Sequence, residues 1–190
     1  QKNHSAGYQF ISYDRSDNYF GYKQILSHGF TAKGWQFSNV FDITNFSTFY
    51  DKGRYLRPVI DFNKELKKIN NWRLGFKYAL EDNVIKSKAL DTVTNLSFSF
   101  DTYSVYLKSS DKKVNKYGIT FFTRSDKYPY AGALVKGDRS YNLNLQTEFI
   151  KNEKHRFFFN ATFRKLKVFS TVVSKQKEDE SILGRAEYLI

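Results

Sequence analysis

Acid–base chemistry near neutral pH would have to start from three side chains, His4, His28 and His155. A hydrolytic triad needs a nucleophile and an orienting acid to converge on such a ring. His4 lies near the first residue, His28 sits in a Ser27-His28-Gly29 stretch that reads as a turn, and His155 abuts another turn cluster. None of them stands in a motif with a serine or an acid. The chain contains no cysteine, which removes thiol nucleophiles, thiolate metal sites and disulfides. Asp14 with Asp17, or Glu178 with Glu180, would offer carboxylates to a calcium ion. Neither run has calcium-loop spacing, so solvated loop acids are the simpler reading. Lys136-Gly137-Asp138-Arg139 has one glycine and no phosphate-loop pattern, and it reads as a turn. The expectation is a protein without catalytic residues, cofactor or metal, and therefore not an enzyme.

Charge is the next candidate signal. Lys and Arg total 31 against 19 Asp and Glu, a formal net charge of +12. A nucleic-acid surface would interleave cations with aromatic rings on one accessible face. Here rings and charges segregate, so nucleic acid is not an expected partner. The cations gather at three places: Lys64, Lys67 and Lys68; Lys112, Lys113 and Lys116; Lys151, Lys154 and Arg156. Lipid phosphates or an acidic partner at one rim suit that distribution; solvated turn lysines suit it equally.

The elements that carry these residues are strands. Phe, Tyr and Trp make up 18% of the chain, a composition that favours pleated surfaces. Trp72, Leu74, Phe76, Tyr78 and Leu80 alternate with Arg73, Gly75, Lys77, Ala79 and Glu81. The same period of two sets Leu143, Leu145 and Phe149 against Asn142, Asn144, Gln146 and Glu148. It also sets Phe157, Phe159 and Phe163 against Arg156, Asn160 and Arg164. The apolar phase slips at Asp101-Thr102, and again between Phe163 and Leu166, which predicts a β-bulge at each place. Turn clusters at Asn70-Asn71, Ser110 to Lys113 and Lys151 to Lys154 recur about every 41 residues. Longer polar stretches, 81–91, 128–139 and 174–180, read as loops at the opposite end. Strands are expected near 7–13, 19–26, 34–48, 54–67, 72–86, 92–108, 115–127, 139–150, 155–172 and 181–190, one domain over 1–190.

Short turn, strand, long loop, strand is the rhythm of an outer-membrane barrel. The mean hydropathy of −0.60 and the lack of a run of about 18 apolar residues exclude a membrane helix, not a membrane strand. The expected fold is an all-β, antiparallel, up-and-down transmembrane barrel or a contiguous piece of one. Trp72, Leu74, Phe76, Tyr78, Leu143, Leu145, Phe149, Phe157, Phe159 and Phe163 would then face lipid. Arg57, Arg73, Lys77, Arg124 and Arg164 would line a lumen attractive to anions. The alternative is a soluble periplasmic or surface β-sandwich that binds glycan or lipid through its rings.

The closing stretch, Ser181-Ile182-Leu183-Gly184-Arg185-Ala186-Glu187-Tyr188-Leu189-Ile190, resembles a segment of large, poorly characterised outer-membrane proteins of Bacteroidota. Phe163-Arg164-Lys165-Leu166-Lys167-Val168 resembles part of the same family. The resemblance implies an outer-membrane barrel and no assigned catalytic residue, while the barrel reading itself predicts a porin-like structural, transport or translocon-subunit role. The resemblance also implies further strands, so residues 7–13 are not expected to pair with 181–190. The start at Gln1 fits removal of an export signal as well as an internal start. Asp91-Thr92-Val93 resembles a short Bacteroidota glycosylation motif.

Overall fold

The computed structural model describes residues 2–15, 19–69, 71–89, 92–95, 97–109, 115–130, 134–151, 155–170 and 177–189. Ten long strands run up and down in one antiparallel sheet, each paired with its neighbours in chain order. They are β1 (Lys2–Arg15), β2 (Tyr19–Ala32), β3 (Trp35–Ser47), β4 (Asp51–Leu66), β5 (Trp72–Ala89), β7 (Phe98–Lys108), β8 (Lys116–Tyr130), β9 (Leu134–Lys151), β10 (His155–Ser170) and β11 (Lys177–Leu189). Short β6 (Thr92–Asn95) pairs with β5 in the register that β7 continues, so the two are one interrupted strand. Among the described residues β1 pairs only with β2 and β11 only with β10, and the sheet is not closed.

The connections fall at two ends. One end, here the turn end, carries Lys33-Gly34, residues 67–71 and the segments before β8 and β10. Lys33 and Gly34 have φ of 50° and 79°, two positive values in a two-residue hairpin, as a type I′ turn requires. Asn71, with φ 59°, tolerates the left-handed region better than most residues. Asn70 and the clusters 110–114 and 152–154 lie outside the described residues.

Several expectations change. His28 and Gly29 lie inside β2, because the reversal is made by Lys33-Gly34 four residues on. The stretches 81–89, 128–130, 134–139 and 177–180 are strand, not loop. Their polarity marks the far end of the sheet, where cross-strand pairing continues. Lys136 to Arg139 belongs to β9 rather than to a turn. The two bulges are absent: registers run unbroken through Asp101-Thr102 and through Phe163 to Val168. The apolar phase changes there because the apolar side chains change faces.

Register assigns every side chain to one of two faces. Of 26 exposed large apolar side chains, 21 lie on one face. Three, Ile11, Val40 and Leu183, lie on the other, and Phe49 and Tyr50 cap a hairpin. On the opposite, polar face Thr44, Asn63, Asn83, Ser140, Asn142 and Glu148 are buried, whereas the apolar face buries Pro58 and Ala161 among the described residues. A single layer buries its own side chains by curving toward them, so the polar face is the concave one.

The apolar band also climbs. Through the ladder Phe163 stands level with Phe76, while Phe10 stands level with Asp82, six positions higher. At about 3.4 Å per residue and about 4.8 Å per strand, a level band needs strands tilted by roughly 30°. Barrel strands tilt by similar amounts.

Candidate functional site

The polar face is the surface on which chemistry would be done. Several of its cations are paired. Arg57 Nε lies 3.2 Å from Glu81 Oε2, and Arg124 Nε lies 2.7 Å from Asp126 Oδ1. Buried Glu148 takes Arg156 at 2.7 Å and Lys116 at 3.7 Å, and Lys23 reaches Asp42 at 2.8 Å. By register this face carries Lys23, Arg57, Arg73, Lys77, Lys108, Lys116, Arg124, Arg156, Arg164 and Arg185. Against them stand Asp42, Asp51, Asp61, Glu65, Glu81, Asp126, Asp138, Glu148, Asp179 and Glu187. Among the residues whose side chains are described, ten acids stand with ten bases. The expected anion-attracting surface therefore carries acids beside its cations, as with Glu81 beside Arg57 and Asp42 beside Lys23.

Amide and hydroxyl groups complete this face. Asn144 donates to Asn160 at 3.0 Å and to Thr162 at 2.9 Å, and Asn142 donates to Ser140 at 3.0 Å. Tyr106 reaches from β7 across Gly75 of β5 to donate to Asp61 of β4 at 2.7 Å. Only a glycine leaves room there, since a Cβ on residue 75 would overlap the Tyr106 ring.

Periodicity alone missed one arrangement. Tyr13, Tyr19, Phe46 and Tyr55 lie on the polar face toward the far end, with successive ring centroids 5.6, 5.9 and 5.3 Å apart and planes within 20°. Gly21 and Gly53 make room for Tyr13 and Phe46, and Arg57 covers Tyr55 at 5.0 Å. The signal was present as aromatics out of phase with the apolar face. Such a row offers flat π surfaces beside ion pairs, a setting in which planar or cationic groups stack.

Every residue expected to face lipid shares the apolar face: Trp72, Leu74, Phe76, Tyr78, Leu143, Leu145, Phe149, Phe157, Phe159 and Phe163. At the turn end its rings meet in pairs, Trp35 with Phe62 at 4.8 Å, Tyr117 with Phe149 at 5.4 Å and Phe157 with Tyr188 at 4.5 Å. The candidate chemistry groups do not converge. His4 and His28 stand 6.2 Å apart on β1 and β2, and His155 Nδ1 meets the Tyr188 hydroxyl at 2.5 Å. Glu178 and Glu180 lie on β11, clamping Lys165 at 3.2 and 3.1 Å, and Glu178 also holds Lys167 at 2.8 Å. Among the described residues no three His, Asp or Glu side chains are placed to hold a metal. Asp17 and Asp91 lie outside the described residues.

No protein-family model matches the chain, and a search of curated proteins finds no similar one.

Proposed function

We propose that this sheet is part of the wall of a bacterial outer-membrane β-barrel, with its apolar face against lipid and its polar face toward an aqueous interior. The role is structural or transport: excluding lipid on one side while presenting a polar, hydrogen-bonding surface on the other. One observation carries the reading, the inverted polarity, in which amides and carboxylates are buried and rings exposed. In water, 21 large apolar side chains on one face would drive association. In a bilayer they are the required exterior. A sandwich would cover them with a second sheet, whereas all described strands belong to one. The unpaired outer edges of β1 and β11 expose backbone groups that hydrocarbon does not tolerate. Further strands, from the same polypeptide or another, complete the wall. The resemblance of the closing strand to Bacteroidota outer-membrane proteins agrees with this reading.

Trp35 and Trp72 are the only tryptophans, and both lie on the apolar face at the turn end. Folded into vesicles, the chain should lose most of its tryptophan fluorescence to lipids brominated near the headgroup, and less to lipids brominated at the chain ends. Unquenched fluorescence from a chain that stays soluble without detergent would favour the sandwich.

Sidedness follows from the two ends. The turn end meets the apolar band directly, so it is the periplasmic rim; the far end projects past the band, so it is external. Lys86, which a loop reading makes a protease site, lies in the β5–β6 ladder and is a poor one. Because the chain has no cysteine, single-cysteine variants report instead. Tyr50→Cys should react with an impermeant maleimide on intact cells, and Lys33→Cys only after the membrane is opened. The reverse order would invert the topology.

A further inference from the structure

Resting on the membrane reading above, we propose that Lys52, Arg54, Lys86 and Lys88 form a binding site for a phosphate-bearing lipid headgroup. Lys52 of β4 stands directly across the ladder from Lys86 of β5, and Arg54 and Lys88 follow two positions along on the same face. Like charges directly opposite each other destabilise a strand pair. Among the described residues no carboxylate lies within ion-pair distance of any of the four, although other lysines on that face, Lys165 and Lys167, are paired. Among the described residues the cluster is thus short of an anion.

Its level names the source of that anion. On β4 the apolar side chains of this face end at Leu56, with Arg54 two positions and Lys52 four positions beyond. That is where the hydrocarbon gives way to headgroups, and lysine stems reach down toward the phosphates from there. The hairpin tip beside the cluster is fixed: Lys88 N–H donates to Tyr50 C=O at 2.7 Å, and Thr48 holds Asp51 N–H at 2.8 Å. Phe49 and Tyr50, packed edge to face at 4.8 Å and 76% and 59% exposed, add apolar surface next to the charges. Cations beside exposed rings suit an anionic amphiphile better than a free ion.

The test uses the 190-residue chain folded into phosphatidylcholine vesicles with and without a minor fraction of phosphatidic acid, then extracted and weighed by native mass spectrometry. Wild type should retain phosphatidic acid, and Lys52→Gln/Lys86→Gln should retain at least about ten-fold less. Lys127→Gln, a cation of the same face outside the cluster, should behave as wild type. Arg54→Gln/Lys88→Gln gives a second reading should the first variant fold poorly. Retention should fall as salt rises. Equal retention by wild type and both double variants overturns the site while leaving the membrane reading intact. Displacement by inorganic phosphate at concentrations equal to the lipid overturns the lipid as its occupant. A wild-type chain that stays folded and soluble without detergent and binds neither vesicle overturns the membrane reading, and the site with it.

Discussion

Leu145→Arg should cost about 2–4 kcal/mol in a lipid-based folding titration, and Gln146→Arg less than about 1 kcal/mol. Leu145 stands in the middle of the apolar band, level with Ile119 on β8 and Ala161 on β10. A guanidinium there has no neighbouring acid on its face and must distort the bilayer or snorkel to reach water. Gln146 points the other way, between Gly118 and Asn160, where a cation joins a hydrated and already charged surface. The comparison controls for register, propensity and size, because the two positions are adjacent on one strand. Similar losses at both would remove the assignment of faces to lipid and lumen, whatever their absolute size.

Gly75→Ala should cost about 1–3 kcal/mol, the usual range for inserting a methyl where the packing leaves no space. The new methyl would push the Tyr106 ring off β5 and break its hydrogen bond to Asp61, which also accepts from Asn63 Nδ2 at 2.9 Å. Tyr106→Phe removes the same hydrogen bond without moving the ring, and bonds to charged acceptors contribute about 1.5–3 kcal/mol. Because the two changes share that bond, the double variant should be less destabilised than the sum of the singles, by more than about 0.5 kcal/mol. Strict additivity would mean that the ring does not bridge β7 to β4 in the folded protein.

Much of this was legible in the sequence, for a physical reason. Alternation is a property of one strand, so the Trp72 to Leu80 and Tyr141 to Phe149 segments displayed their faces without reference to anything else. The all-β class, the ten-strand meander and the sharing of one face by Leu74, Leu143 and Phe159 follow from that local rule. Turn chemistry was legible only in part. Asn71 is legible as a turn residue, whereas Gly29 reads as a reversal that Lys33-Gly34 makes, because a strand glycine and a turn glycine look alike in one dimension.

Register is what only the tertiary structure decided. It pairs residues tens of positions apart, which no single strand's pattern encodes. Register turned the polar stretches 81–89, 128–130 and 134–139 into strand, and it replaced the two expected bulges with a change of face at the edge of the apolar band. It set Glu81 against Arg57 and Asp42 against Lys23 on the polar face, where the sequence alone shows five arginines and lysines and an attraction for anions. It also placed Lys52 opposite Lys86 with no acid between them. The chain's own alternation determined which side of the sheet is greasy, and the cross-strand partners determined where its charge is left unbalanced.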